Sequence, residues 1–489
     1  MPKLRLFILS AFVALSVTVL ALPKHEIRAV WITSAYGLDW PKSRANTPSG
    51  IARQKKELTD LLDLLQKAHF NTVLFQARTR GDVFYRSAIE PYSALLTGKS
   101  GKDPGYDPLA FAIEECHKRG MECHAWIVTI PLGNTKHVNS LGKNSVWRQH
   151  RNLCLHYKNE YFLNPGNPKT KEYLWSLVRE MVGNYDLDGV HFDYFRYPER
   201  ATNFPDNTDF RRYGKGRSLA QWRRDNLTDL MRYLYQGVKA LKPWVKVSTS
   251  PVGKFDDTSR FSSRGWNAYS TVYQDVKAWL KEGIQDQIYP MMYFKNEQFY
   301  PFALDWAENS NQRHVVPGLG IYFLDPKEGN WQLNNVKHQL NFIQTNQLSG
   351  AAFYRTFYLE KNTQGLYDAL CEEFYTTMAL QPPMPWLDEE APSAPKNLQA
   401  TATSLGIVHL TWDEATDNDP HNKPRYVVYA SNKGPTDTTS SENIVATYLD
   451  KTEFYQASIC PWDRKMHFAV TAVDRYGNES EPAYISLEL

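Results

Sequence analysis

The sequence predicts an α/β protein, a (β/α)₈ TIM barrel followed by a small all-β domain. In its first part, eight short apolar segments alternate with eight segments whose apolar residues recur at helical spacing. Such regular alternation favours a parallel sheet, because parallel neighbours need a crossover connection. After Gln381 the helical spacing gives way to short strand patterns separated by turn residues. A doubly wound sheet is the alternative for the first part, but no glycine fingerprint follows its first strand.

The amino terminus predicts export. Lys3 and Arg5 precede an apolar run over residues 6–22, and residues 19–21 offer a small-residue cleavage site. This pattern is typical of a secretory signal peptide over residues 1–22 rather than of a spanning helix. No other run is apolar for long enough to cross a bilayer, so we expect no integral membrane segment after signal removal. We predict a periplasmic, extracellular or cell-surface protein.

The elements of the barrel, predicted over residues 26–379, follow in order. The first strand is the apolar run 27–32, and the helix after it, 51–69, carries leucines at helical period. We predict the other strands at residues 72–76, 122–130, 188–193, 245–250, 287–293, 315–321 and 350–354. We predict the other helices at residues 108–119, 169–185, 219–241, 271–282, 301–309, 331–345 and 364–378.

The carboxyl-terminal part changes character at a proline-rich stretch, residues 380–394, which predicts a stiff linker. Beyond it, residues 395–489 contain the strand patterns 406–412, 425–431 and 467–473. Short strands around a buried Trp412 favour a β-sandwich.

Composition narrows the class of function. A net charge of +3 gives no reason to expect a nucleic-acid partner, and an aromatic content of 13% suits surfaces that stack on sugar rings. The sequence has no histidine-rich or thiolate cluster and no Gly-x-Ser-x-Gly motif, so we expect neither a metal or cofactor nor an acyl-transfer serine.

Cys116 and Cys123 could pair or remain buried free thiols. The oligomeric state is left open.

The stretch from Asp188 to Pro198 is the centre of the candidate site, because an apolar strand there ends in several polar groups. Active sites of parallel barrels lie at the carboxyl ends of the strands. Asp193 is therefore the first candidate carboxylate for glycoside hydrolysis, as the nucleophile or as the group that stabilises positive charge at the anomeric carbon. The alternative is a structural ion pair of Asp193 with Arg196.

A second carboxylate is needed to flank the scissile bond. Asp82 and Glu297 are the candidates, since each follows a predicted strand. Arg80 could instead hold Asp82 in a structural salt bridge, and a loop glutamate such as Glu297 is often simply solvated. We predict that the following residues bind substrate at the same face: Trp31, Arg78, Arg80, Trp126, His191, Arg196, Tyr293 and Tyr354. A satisfied core position is the alternative for His191, and core packing is the alternative for both tryptophans.

Several segments together resemble the glycosyl-hydrolase-like 10 family of bacterial exported proteins. They are residues 28–31, 80–85, 188–198, 250–253, 265–267 and 287–293. The resemblance covers about residues 26–377 and implies a (β/α)₈ glycosidase-like fold, with peptidoglycan glycan strands stripped of their peptides as a substrate known in the family. Residues 394–398 and 468–480 resemble a fibronectin type III module, which implies a spacer or adhesion unit.

Two related catalytic patterns bear on mechanism. Substrate-assisted chitinase-like enzymes carry Asp-Gly-x-Asp-x-Asp-x-Glu, but Phe195 stands where that pattern has its general-acid glutamate. The α-amylase-like pattern, with a basic residue two positions before a nucleophilic aspartate, is nearer to His191 and Asp193. The resemblance does not fix which anomer is cleaved.

The sequence thus predicts an exported glycoside hydrolase that acts on an amino-sugar polymer, with peptidoglycan as the expected polysaccharide. The alternatives are a non-catalytic glycan-binding protein and a hydrolase of dietary or host polysaccharide.

Overall fold

The computed structural model describes residues 22–346, 348–403, 407–419, 422–457 and 465–488, and it contains the predicted parallel barrel. Apart from Leu22, the predicted signal peptide lies outside these residues. Neighbouring strands pair in parallel in chain order, and the last pairs with the first. The strands are Ile27–Ile32, Thr72–Arg78, Glu122–Val128, Gly189–Asp193, Lys246–Thr249, Gln287–Ile288, the pair His314–Val315 and Gly318–Leu319, and Gly350–Phe353.

The seventh strand closes the barrel in two pieces. His314–Val315 pairs with the sixth strand, and Gly318–Leu319 pairs with the eighth. Only Val316 and Pro317 separate the pieces, and proline interrupts the ladder because it has no backbone N–H to donate. The sheet of nine parallel segments therefore curls into an eight-stranded ring.

Helices surround the ring, and most begin where the sequence predicts. The main helices are Pro48–Lys67, Pro108–His117, Thr170–Asn184, Leu219–Leu241, Val276–Glu282, Tyr300–Glu308 and Leu333–Thr345. The first starts with Pro48 behind Thr47, whose side chain accepts a hydrogen bond from the Gly50 N–H.

Two predicted helices differ in the structure. The predicted helix 364–378 is shorter in the structure, where Leu366–Ala369 continues directly into Leu370–Phe374, and Gln364 itself has φ +53°. A separate short helix, Thr356–Glu360, precedes it. The predicted helix 271–282 begins only at Val276, because Asn267 caps a separate turn, Ala268–Thr271.

An excursion between the third and fourth barrel strands was not predicted from the sequence. It contains a small antiparallel sheet of Pro131–Asn134, Glu160–Leu163 and Cys154–Tyr157. Each of these strands has four residues, too few for alternation to distinguish them from a loop.

The carboxyl-terminal residues form two antiparallel sheets, in agreement with the predicted all-β domain. One contains Lys396–Ala402, Ile407–Asp413 and Glu453–Ala457; the other contains Ile444–Leu449, Arg425–Ser431, Lys465–Val473 and Ala483–Glu488. Trp412 is buried in the apolar cluster that these strands enclose.

This carboxyl-terminal module packs against the amino-terminal face of the barrel. Arg475 and Arg425 lie 3.3 Å and 3.6 Å from the Asp188 carboxylate, which precedes the fourth strand. Gln381 Nε2 donates a hydrogen bond of 2.7 Å to Thr72 Oγ1 at the start of the second strand. The proline-rich segment joins the contact, since the Met384 N–H donates to the Tyr476 carbonyl at 2.8 Å.

Two further findings concern membrane and thiol chemistry. In the parts of the chain described above, no helix has both the length and the apolar character needed to cross a membrane. Cys116 and Cys123 are buried free thiols.

Candidate active site

A cleft of about 790 Å³ opens at the carboxyl ends of the barrel strands. Side chains on or just after seven of the strands line it: Trp31, Gln76, Trp126, Asp193, Ser250, Met291, Tyr293 and Tyr354. The excursion after the third strand and the Arg80–Asp82 turn supply a further wall. The cleft therefore lies where parallel barrels place their active sites.

Asp193 is held at the floor of this cleft by three donors. Its Oδ1 accepts hydrogen bonds from the Tyr194 N–H at 2.7 Å and the Ser250 hydroxyl at 2.8 Å. Its Oδ2 accepts one from the Trp126 indole N–H at 3.1 Å. Among the described residues no ion pair within 4.0 Å links Asp193 to Arg196, although the positive charge of Arg196 lowers the pKa of Asp193.

Burial raises the pKa of Asp193, and the hydrogen bonds from Ser250, Tyr194 and Trp126 offset this only in part. The carboxyl is 6% exposed, so little water can stabilise its charge. A carboxyl whose pKa is raised in a cleft is a typical candidate for proton or covalent chemistry.

Asp82 lies in the wall of the same cleft. Gly81, at φ +80°, makes the turn that brings Asp82 back toward the second strand. The Thr79 hydroxyl and the Arg80 N–H donate to Asp82 Oδ1, while His137 Nε2 lies 3.8 Å from it. Within the described residues no hydrogen bond reaches Oδ2, which leaves that oxygen available to a ligand.

Glu297 is not brought to the cleft. It lies in the short helix Asn296–Gln298 with its side chain 51% exposed, and Arg264 Nη2 lies 3.0 Å from its Oε1. This matches the solvated alternative considered for a loop glutamate.

Four aromatic side chains from the predicted set line the cleft. Tyr293 and Tyr354 stack at 5.8 Å between ring centroids and 29° between planes. Trp31 meets Tyr354 edge to face at 6.1 Å, and the Trp126 indole holds Asp193. Tyr293 and Tyr354 are partly exposed and offer aromatic faces to a sugar. Trp31 and Trp126 are only 2% and 3% exposed, which matches the core-packing alternative for the two tryptophans.

His191 lies beneath the cleft rather than in it. It is fully buried, and the Trp31 indole N–H donates to its Nε2 at 3.3 Å while its Nδ1 lies 3.0 Å from Ser248 Oγ. Burial lowers the pKa of His191 well below its ordinary value, so the ring is neutral. His191 therefore supports Trp31 from below by accepting its indole hydrogen bond, which matches the alternative of a satisfied core position.

The three predicted arginines occupy different environments. Arg78 is fully buried and pairs with Glu90 through two hydrogen bonds of 2.7 Å, away from the cleft. Arg80 lines the cleft and donates to the Tyr36 hydroxyl at 2.6 Å. Arg196 lines a smaller side pocket that adjoins the cleft.

The structure adds cleft residues that the sequence analysis missed. They are Tyr36, Lys136, His137, Tyr194 and Ser250. Ser250 is the last residue of a predicted strand and could have been found by the same positional argument as Asp193. Lys136 and His137 belong to the excursion, whose strands are too short to be predicted from an alternation of apolar and polar residues. No group of His, Cys, Asp or Glu within the described ranges is arranged to hold a metal ion.

Comparisons of the sequence and of the fold find similar proteins. Residues 26–323 match the family model described as glycosyl hydrolase-like 10. Glycosyl hydrolase YngK of Bacillus subtilis is 33% identical over 483 residues, which are 94% of this chain and 92% of that protein. Glycosyl hydrolase DigH of Escherichia coli is 33% identical over 370 residues, 69% of this chain and 84% of that protein. The PgaB (BpsB) glycoside hydrolase domain from Bordetella bronchiseptica has a TM-score of 0.48 at 14% identity, covering 71% of this chain and 98% of its own.

Proposed function

The chain belongs to the glycosyl hydrolase-like 10 family, and from that premise we propose that it is an exported glycoside hydrolase acting on peptidoglycan glycan strands. The observation that carries the proposal is the presence of two buried carboxyl groups, Asp193 and Asp82, in one aromatic-lined cleft at the carboxyl ends of the strands. Glycoside hydrolysis needs such a pair around the scissile bond.

Asp193 takes the position facing the anomeric carbon in this proposal. Its carboxylate acts as the nucleophile or stabilises the positive charge that develops as the glycosidic bond breaks. The hydrogen bonds from Trp126, Ser250 and the Tyr194 backbone fix its orientation before substrate arrives.

Asp82 takes the role of general acid. Its protonated carboxyl donates to the glycosidic oxygen, and the leaving sugar departs as an alcohol. The Arg80 N–H and the Thr79 hydroxyl donate to Oδ1, so in this proposal Oδ2 is the oxygen that faces the glycosidic bond.

The test is the release of reducing ends from peptide-free peptidoglycan glycan strands. We expect release by the wild type, and at least a hundredfold loss in Asp193→Asn and Asp82→Asn, the usual scale for removing an acid, base or nucleophile. Glu297→Gln is the matched control, because its exposed carboxyl lies outside the cleft, and its rate should equal that of the wild type.

Four other outcomes contradict parts of the proposal. Full activity in Asp193→Asn would show that Asp193 is not the nucleophile or the charge-stabilising group. Loss of activity in Glu297→Gln would indicate that Glu297, and not Asp82, is the general acid. Retention of the strands without any release would indicate a non-catalytic glycan-binding protein. Release from dietary or host polysaccharides alone would change the substrate.

A further inference from the structure

A side pocket of about 230 Å³ adjoins the cleft and shares Arg80 and Tyr194 with it. One wall comes from the excursion, through Tyr157 and Lys158, and the other from the loop after the fourth strand, through Arg196. If a polymer lies across the cleft, a sugar next to the one in the cleft could therefore reach into the side pocket.

Arg196 is the notable residue of this pocket. It is 7% exposed, and its Nη1 has no hydrogen-bond partner among the residues that the structure describes. Its nearest carboxylate, Glu199, lies 3.8 Å from Nη2 and has a side chain that is 61% exposed. A buried N–H group of a charged side chain is costly to leave unpaired, so the pocket retains an unused donor.

The position of Arg196 is fixed by aromatic rings rather than by anions. Its guanidinium lies 4.8 Å from the ring centroid of Tyr194 and 5.6 Å from that of Trp266. Cation–π contacts of this kind hold the planar group while its N–H donors stay available.

Cationic side chains outnumber anionic ones around the pocket. Arg80, Lys158 and Arg196 line it, against Glu160 and Glu199. Lys158 is exposed, and its Nζ lies 4.9 Å from the centroid of the Tyr157 ring. The local excess of positive charge favours an anionic group over a neutral one.

We propose that the side pocket binds a carboxylate carried by the glycan, with Arg196 and Lys158 as its partners. Guanidinium groups bind carboxylates through paired N–H donors, and this geometry suits a group that reaches sideways from a sugar. The inference rests on the proposed function, because peptide-free peptidoglycan strands carry a lactyl carboxylate on alternate sugars. Uronic acid polymers offer the same chemistry from another source.

The test compares peptide-free strands whose carboxyl groups are free with the same strands amidated by methylamine. We expect kcat/KM of the wild type to be at least tenfold higher on the free strands, with the difference in KM rather than kcat. Arg196→Gln and Lys158→Gln should each lower the ratio of kcat/KM on free strands to kcat/KM on amidated strands toward one. Lys143→Gln removes an exposed charge of the same excursion outside the pocket and should leave the preference intact. Lys158→Gln keeps the test decisive if Arg196→Gln fails to fold, since the Lys158 side chain is exposed.

Failure of this inference and failure of the proposed function give different results. Equal cleavage of free and amidated strands overturns the carboxylate site and leaves the hydrolase in place. If neither the free nor the amidated strands are cleaved, the proposed function fails. Retention of each kind of strand on the immobilised protein then tests whether the side pocket binds a carboxylate. Preferential retention of free strands, lost in Lys158→Gln, supports the pocket; equal or absent retention overturns it. Preferential binding of oligogalacturonate over the free strands supports the carboxylate chemistry and assigns it to uronic acids.

Discussion

Asp193 is buried from solvent and accepts three hydrogen bonds, and these two features shift its pKa in opposite directions. Burial raises its pKa, whereas Ser250, Tyr194 and Trp126 stabilise the carboxylate and lower it. The balance favours the protonated form up to a higher pH than for an ordinary aspartate, whose pKa is about 3.9. The protonation state of this one group should therefore be visible in the rate.

We expect kcat/KM to rise with pH through the pKa of Asp193, because a nucleophile or charge-stabilising group must be ionised. The midpoint of this acidic limb should lie above that of an ordinary aspartate, in the direction that burial imposes. The measurement is kcat/KM on peptide-free glycan strands as a function of pH. A rate that instead falls through this range would show that Asp193 donates a proton and that the two carboxyl roles are exchanged.

Trp126→Phe tests the positioning role of the indole. The change removes the N–H that donates to Asp193 Oδ2 but keeps an aromatic ring in the cleft. The pKa of Asp193 should rise further, moving the acidic limb to higher pH, and kcat should fall about tenfold, the scale of one hydrogen bond to a charged group. A change in KM with an unmoved pH profile would mean that Trp126 acts only as a sugar platform.

At the scale of elements, a buried ion pair joins the end of the second barrel strand to the loop that follows it. Arg78 and Glu90 are both fully buried, and the Tyr173 hydroxyl also donates to Glu90 Oε1 at 2.7 Å. Arg78 Nη1 donates to the Val128 carbonyl at the end of the third strand. Arg78 therefore holds the loop after the second strand in place.

Arg78→Met should reduce the free energy of unfolding by about 3–5 kcal/mol, because it leaves the Glu90 charge buried without its partner. Guanidinium-induced unfolding measures the loss. The double variant Arg78→Met with Glu90→Leu is the control and should recover most of the stability, since neither charge then remains. Normal stability with a raised KM would restore the sequence-based prediction that Arg78 binds substrate.

Prediction from sequence succeeded where a residue's position in a strand decides its environment. Asp193, Tyr293 and Tyr354 are the last residues of predicted strands, and all three line the cleft. It was weaker where tertiary contacts decide, as for Arg78, whose partner Glu90 lies in a loop without a regular pattern. The wall formed by the excursion could not be predicted, because its four-residue strands are stabilised by pairing with one another rather than by any long alternation.

At the scale of the whole molecule, the carboxyl-terminal module covers the end of the barrel opposite the cleft. Burial alone would raise the pKa of Asp188, but His117, Arg425 and Arg475 together hold it well below its usual range. Two of these three partners belong to the module. The resemblance to a fibronectin type III module implied a spacer, and the sequence offered no sign that its arginines would pair with the base of the barrel.

Arg475→Gln should lower the melting temperature at pH 7 without changing kcat/KM, since Arg475 lies far from the cleft. A depressed folded-state pKa stabilises the protein above the unfolded-state pKa of about 3.9, and that stability is lost as the pH falls toward the folded-state value. The difference in melting temperature between variant and wild type should therefore shrink below about pH 4. A difference that stays constant with pH would attribute the effect to lost packing against Trp244 rather than to charge.

The start of the described chain is tied to this same module. The Ser441 hydroxyl donates to the Leu22 carbonyl at 3.1 Å, and Lys24 pairs with Glu479 at 2.5 Å. These contacts place residues 22–24 beside the module, at the end of the barrel opposite the cleft. An affinity tag or fusion partner joined ahead of them would therefore emerge on the far side of the barrel and leave the mouth of the cleft open to a long polymer.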